Sequence, residues 1–163
     1  MMVLYHINLG FPLLSEKAQL VLPSVKAEPR DADAADGAEK WAELHGPMTG
    51  YAEKVYFHTV KPGPDGVVTC ALVNRRVGPG IGFRLRYRLE ELPSLTQWKM
   101  LGDREYVLGV EPGNAKPMGR AEARKAGELV ELAVGDEVEM GFEIDVVEGE
   151  RAIDGLIHEA SAT

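Results

Sequence analysis

The sequence has little cysteine, no cationic excess and no long apolar run, and each absence excludes a class of protein. One cysteine, Cys70, among 163 residues excludes an internal disulfide framework and is compatible with the reducing cytoplasm, which we predict as the location. A net charge of −8 argues against nucleic-acid and membrane-surface partners, because phosphates would be repelled. No apolar run is long enough to span a bilayer. The 45% hydrophobic content suffices for one buried core.

Motifs for metals and cofactors are also missing. The four histidines, His6, His45, His58 and His158, are far apart in the sequence, and there is no thiol cluster. The glycines around Gly80 do not open a helix, so a phosphate-binding loop is not expected. The sequence therefore predicts a protein that needs neither a metal nor a cofactor.

Alternation of apolar and polar residues predicts strands in most of the chain. The clearest case runs from Ile81 to Leu89, and Val138–Val147 repeats the pattern. Short strands separated by turn signals predict an all-β fold, an antiparallel β-sandwich. The alternation also predicts which side chains the core buries, namely Phe83, Leu85, Tyr87, Phe142 and Ile144, and which face water, namely Arg86 and Glu143.

The composition divides the chain into a domain and a tail. Residues 1–149 are predicted to form the sandwich, with a mobile acidic loop at 27–45 that includes a short helix around Trp41. A polar crossing loop is expected at 115–125 and a further strand at 128–132. Residues 150–163 are small and polar and are predicted to be a frayed tail.

The stretch Leu92–Asn114 contains the first candidate for chemistry. Two strand-like runs flank a polar turn, so that Val107, Gly109 and Glu111 share one face. Glu111 thus lies beside the space left by a glycine, at a strand end that Pro112 and Gly113 are expected to close as a turn. A carboxylate in that place can reach a ligand, or it can be a solvated group before a turn, and the spacing leaves both open.

Four motifs resemble those of a known family. The sequences YHINLGFPLL, KVYFHT, QWKM and YVLGVEPGN, in this order, are similar to the aldose 1-epimerase (galactose mutarotase) superfamily, and most similar to its DUF4432-type proteins. The resemblance extends from about Leu4 to Gly149. Because members of the superfamily are usually close to twice this length, the chain resembles only their C-terminal half. The resemblance implies part of the galactose mutarotase-like supersandwich.

The resemblance also implies an activity, which is epimerisation at the anomeric centre of a sugar by general acid and base catalysis. Glu111 is then the base and His6 the acid, with His58 as the alternative acid. The residues implied in substrate binding are Asn8, Glu53, His58, Trp98 and Lys99. From the residues alone, His6 and Trp98 can equally belong to the core, and Trp98 and Lys99 must point to opposite faces of one strand.

Two other functions fit the same residues. The chain can be a sugar-binding half-domain without turnover, or a fragment that requires a partner chain. An absent N-terminal half would leave apolar edges open, so we expect a homodimer or pairing with a separately encoded N-terminal half. The sequence does not reveal which sugar is bound, because geometry rather than composition distinguishes hydroxyl stereochemistry.

Overall fold

Two antiparallel sheets pack face to face in the computed structural model, which describes residues 1–161. The strands are β1 (Ile7–Gly10), β2 (Gln19–Val21), β3 (Ser24–Pro29), β4 (Lys54–Val60), β5 (Val67–Asn74), β6 (Ile81–Arg88), β7 (Ser94–Leu101), β8 (Tyr106–Gly113) and β9 (Phe142–Glu148). The larger sheet has the order β1-β8-β7-β4-β3, and the smaller has the order β2-β5-β6-β9. The predicted all-β sandwich is confirmed.

The core lies between the inner faces of the two sheets. Leu108 and Val110 of β8 belong to the same buried cluster as Leu72 of β5 and Leu85 of β6. Each of these strands buries alternate side chains there, because successive residues of a strand point to opposite faces. The predicted burial of Phe83, Leu85 and Tyr87 is confirmed.

The predicted burial of Phe142 and Ile144 is wrong. These side chains are 36% and 47% exposed, although Ile144 pairs with the buried Leu85 and shares its face of the sheet. The larger sheet ends at β1, where the Tyr5 ring lies 4.7 Å from that of Phe142, and does not extend over the rest of β9. Phe142, Ile144 and the 64% exposed Val146 therefore form an uncovered apolar strip. Glu143 is exposed as predicted, and the Arg86 side chain is 30% exposed.

The C-terminal residues form a helix, which corrects the predicted frayed tail. Helix α3 (Glu150–Ser161) buries Ile153, Leu156 and Ala160 on the outer face of the smaller sheet, against Ala71 and Val73. Gly82 permits this approach, since a Cβ atom there would lie 3.0 Å from a methyl of Leu156. Residues 162–163 of the predicted tail lie outside the described part of the chain. Within residues 1–161, no helix is both long and apolar enough for a membrane span.

Two predicted loops contain short helices, and one predicted strand is absent. The acidic segment contains α1 (Ala32–Ala35) and a 3-10 turn (Ala38–Lys40), and it packs on the inner face of the larger sheet beyond the edge of the smaller one. The crossing loop contains α2 (Arg120–Ala126). Residues 128–132, predicted as a strand, have no regular structure.

Candidate active site

Glu111 points outward from β8, on the face of the larger sheet away from the core. A Cβ atom at Gly109 would lie 2.3 Å from Glu111 Oε1, so the glycine provides the space that the carboxylate occupies. The expected turn at Pro112 and Gly113 is not found, because both residues continue β8, and Tyr5 N donates to Pro112 O. Glu111 is thus held within a strand, and only 4% of its side chain is exposed.

His6 lies next to Glu111 because β1 pairs with β8. Ile7 is opposite Val110, and this register brings the preceding residue His6 beside Glu111. His6 Nε2 is 3.1 Å from Glu111 Oε1, at ion-pair distance, but the two atoms are not aligned as a hydrogen bond. The imidazole is 49% exposed, whereas the carboxylate is buried. Burial raises the pKa of Glu111, and the charge of His6 opposes this shift.

Trp98 and Glu53 form a hydrogen-bonded chain on the same face. Trp98 Nε1 donates to Glu53 Oε2 at 2.8 Å, and an Arg30 guanidinium nitrogen donates to Glu53 Oε1 at 2.8 Å. These two bonds lower the pKa of Glu53, which keeps it a carboxylate. The Trp98 ring contacts His6 edge to face, with 5.5 Å between the ring centroids. Glu53 thus holds the indole, and the indole limits where the imidazole can lie.

These side chains line one depression of about 340 Å³, together with Thr96, Leu4, Val55 and Pro117. Thr96 lies directly opposite Glu111 in the β7–β8 register, and its buried hydroxyl has no hydrogen-bond partner in the described part of the chain. Thr96 and Arg30 were not predicted from the sequence as site residues. The hairpin register predicted from the turn at residues 102–105 would have placed Thr96 opposite Glu111, whereas nothing near Arg30 in the sequence links it to the site.

Two residues implied in substrate binding lie on the opposite face of the sheet. His58 is 5% exposed, and its nitrogens contact Ser24 Oγ at 2.8 Å and Gln97 Oε1 at 3.1 Å. Lys99 is 4% exposed and donates to the backbone carbonyls of Lys40 and Glu43. Burial lowers the pKa of His58 to about 4 and that of Lys99 to about 8. Neither side chain lines the depression.

Asn8 lies on the same face as Glu111 but outside the depression. It pairs with Gly109, which also pairs with Trp98, and its side chain is exposed. The structure therefore brings together four of the residues singled out from the sequence, namely His6, Glu53, Trp98 and Glu111.

The rest of the described surface has fewer side-chain groups that are suited to catalysis or metal binding. A depression of about 420 Å³ lies on the smaller sheet, but Arg86 in its wall is already bonded to Glu143 at 3.2 Å. Among residues 1–161, no group of three or more metal-ligating side chains is close enough to hold an ion. The combination of a buried carboxylate, an adjacent histidine and an open cavity occurs at Glu111.

Residues 1–146 match the family described as "Domain of unknown function (DUF4432)". The chain belongs to the DUF4432 family. The crystal structure of a putative aldose 1-epimerase from Klebsiella pneumoniae subsp. pneumoniae MGH 78578 has a similar fold, with a TM-score of 0.91 and 23% sequence identity. The similarity covers 99% of this chain and 42% of that one, so this DUF4432 chain spans less than half of that protein's length. No curated protein matches it.

Proposed function

We propose that this DUF4432 chain is an aldose 1-epimerase-like isomerase whose site is the depression at Glu111. The observation that carries the proposal is a carboxylate with 4% exposure that lies 3.1 Å from a half-exposed imidazole, at the wall of an open cavity. Burial raises the pKa of this carboxyl toward the working pH, which makes it a better base than a solvated carboxylate. A ligand of the sugar class also suits Trp98, because an indole face packs on the C–H side of a sugar ring.

In the proposed reaction, Glu111 removes the proton from the anomeric hydroxyl, and His6 in its imidazolium form protonates the ring oxygen. The bond between C1 and the ring oxygen then breaks and leaves an open-chain aldehyde. Rotation about the bond between C1 and C2, followed by the reverse proton transfers, closes the ring as the other anomer. Because 3.1 Å leaves no room for a sugar between the two groups, the half-exposed His6 must rotate outward when the sugar enters. Glu111 is fixed by its strand and stays in place.

The test is the rate of mutarotation of freshly dissolved glucose or galactose, followed by polarimetry. Glu111→Gln keeps the shape of the side chain but removes the base, so we expect the catalysed rate to fall by about 10²- to 10⁴-fold. Glu143→Gln is the matched control, because Glu143 is exposed on the other sheet. Equal rates for wild type and Glu111→Gln would exclude Glu111 as the base, and a sugar that binds without being turned over would favour the sugar-binding half-domain.

The uncovered strip on β9 favours an assembly. We further propose that a second copy of the chain covers Phe142, Ile144 and Val146, since the same apolar strip on a two-fold-related copy is self-complementary. Sedimentation at micromolar concentration should then show a dimer that Ile144→Lys dissociates. Val25→Lys is the control, because Val25 is 65% exposed on β3, at the far edge of the larger sheet. A wild-type monomer under these conditions would contradict the proposal.

A further inference from the structure

A second depression lies beside the first, where β4 ends and β7 begins, and shares the outer face of the larger sheet with it in part. On β4, Val55 lines the first depression, and the next residues on that face, Phe57 and Thr59, line the second. On β7, Thr96 lines the first and Ser94 the second. The shift is two residues on each strand, which corresponds to about 7 Å. The two depressions therefore follow each other along the strands as one groove, and its second part also reaches His58, Val60 and Leu89 at the strand ends.

The boundary between the two parts is narrow. Consecutive residues line them, because Pro117 belongs to the wall of the first depression and Lys116 to that of the second. The Lys116 ammonium lies 5.2 Å from the centre of the Phe57 ring and 3.1 Å from Glu28 Oε2. The Lys116 side chain is 43% exposed, so it can move without disturbing the core.

The second depression has the volume and the lining for a polar ring. Its volume is about 540 Å³, against about 340 Å³ for the first. Its wall combines an aromatic ring, hydroxyls, an ammonium and two carboxylates with aliphatic side chains. Hydrogen bonds from Lys26 and Lys116 lower the pKa of Glu28, so that it remains an acceptor. Such a combination suits the hydroxyls and the C–H faces of saccharides.

An unpartnered donor lies in the same wall. Asn114 Oδ1 accepts from Val3 N at 2.7 Å, but Asn114 Nδ2 is buried and has no hydrogen-bond partner within residues 1–161. A buried donor without a partner costs free energy that a ligand oxygen can recover.

We propose that the second depression binds a further unit of a saccharide whose reducing sugar occupies the depression at Glu111. The ligand class is then a reducing disaccharide or a longer saccharide rather than a free monosaccharide. The first unit lies over Trp98 and Glu111, and the second lies over Phe57 between Lys116 and Glu28. This assignment rests on the proposed function, because the Glu111 site determines which end of the saccharide is the reducing one.

The experiment is an NMR titration of the backbone amides of the full chain with glucose and with maltose, cellobiose and lactose, which share glucose as the reducing unit. Glucose should shift the amides around Trp98 and Glu111, and at least one disaccharide should also shift those of Phe57 and Thr59. Lys116→Met should weaken binding of that disaccharide by about tenfold or more and leave glucose binding unchanged. Lys26→Met is the matched control, because Lys26 also bonds to Glu28 but does not line the groove, and it should bind both sugars as wild type does.

The experiment distinguishes failure of this inference from failure of the proposed function. If glucose binds at Glu111 but all three disaccharides bind no more tightly and leave Phe57 and Thr59 unshifted, the inference is overturned and the proposed function stands. Equal weakening by Lys116→Met and Lys26→Met would likewise overturn it, because the effect would then come from Glu28 alone. Binding of no sugar at all would remove the proposed function together with the inference.

Discussion

Both faces of the larger sheet bury polar side chains. Most of those on the inner face are hydrogen-bonded, whereas two on the outer face are not. On the inner face, His58 and Gln97 bond to each other, Gln97 donates to Trp41 O, and Lys99 donates to two backbone carbonyls. Tyr56 is an exception there, because its buried hydroxyl has no partner within residues 1–161.

On the outer face, Thr96 and Glu111 lie opposite each other without a hydrogen-bond partner for Thr96 Oγ1 or Glu111 Oε1 in the described chain. Buried polar groups are normally satisfied, and those left unsatisfied beside a cavity are candidates for ligand contacts. His58, whose ring nitrogens contact Ser24 and Gln97 within the sheet, thus differs from the half-exposed His6, the proposed acid.

The largest predicted effect comes from replacing the His6 imidazole with an amide. His6→Gln should lower the catalysed rate of mutarotation by about 10²- to 10⁴-fold, because no group then protonates the ring oxygen. The melting temperature should not change, since 49% of the His6 side chain is exposed. His158→Gln, on the exposed side of α3, is the control. An unchanged rate would mean that the proton comes from another group.

The second prediction concerns stability and the buried histidine. The pKa of His58 is about 4 in the folded chain, against 6.5 for an unperturbed histidine, so the unfolded chain binds more protons between these values. The free energy of unfolding should therefore fall as the pH drops from about 6.5 to about 4, with a contribution from His58 on the order of 3 kcal/mol.

Urea unfolding of wild type and His58→Gln across this range isolates the contribution. The variant keeps an amide next to Ser24 and Gln97 but has no group that titrates here, so its stability should depend less on pH. The difference between the two proteins cancels the other titrating groups. Parallel curves would show that His58 is not buried as a neutral ring.

Local features of the site were predictable, because they depend on strand parity. The alternation in Tyr106–Glu111 predicted that Glu111 shares a face with Gly109 and lies beside the space that this glycine leaves, and the same rule placed Trp98 and Lys99 on opposite faces. The parity of β4 also separates His58 from Phe57. The resemblance to a family implied a sugar-binding role for His58, and its place on the face opposite Glu111 follows only from the pairing of β4 with β7 and of β7 with β8.

Features that depend on distant parts of the chain were not predictable. The exposure of Phe142 and Ile144 follows from where the opposite sheet ends, which no pattern within β9 can reveal. Helix α3 was missed because Gly155 and several small residues masked the spacing of Ile153, Leu156 and Ala160. The contact between His6 and Glu111 joins residues about one hundred positions apart, through the pairing of β1 with β8.

The smallest predicted effect is that of the Thr96 hydroxyl on the pKa of Glu111, on the outer face. Thr96 and Glu111 are directly opposite in neighbouring strands, where side chains are about 5 Å apart at Cβ, so a rotation of the hydroxyl can bring it to the ionised carboxylate. Such a bond stabilises the charged form and opposes the effect of burial. Thr96→Val, which keeps the shape, should therefore raise the pKa of Glu111 by about one unit.

The measurement is an NMR titration of the Glu111 carboxyl carbon in the full chain. Thr96→Ser should leave the pKa of Glu111 near the wild-type value, because it keeps the hydroxyl, and Thr59→Val is the matched control, four residues along β4 from Val55 in the wall of the depression. The charged groups that line the same depression are His6, Arg30 and Glu53, and none of these substitutions alters them. If wild type and Thr96→Val titrate alike, the Thr96 hydroxyl does not bond to Glu111. Thr96 Oγ1 and Glu111 Oε1 would then lack a hydrogen bond to each other in solution as well, and the contrast with the inner face would be sharper.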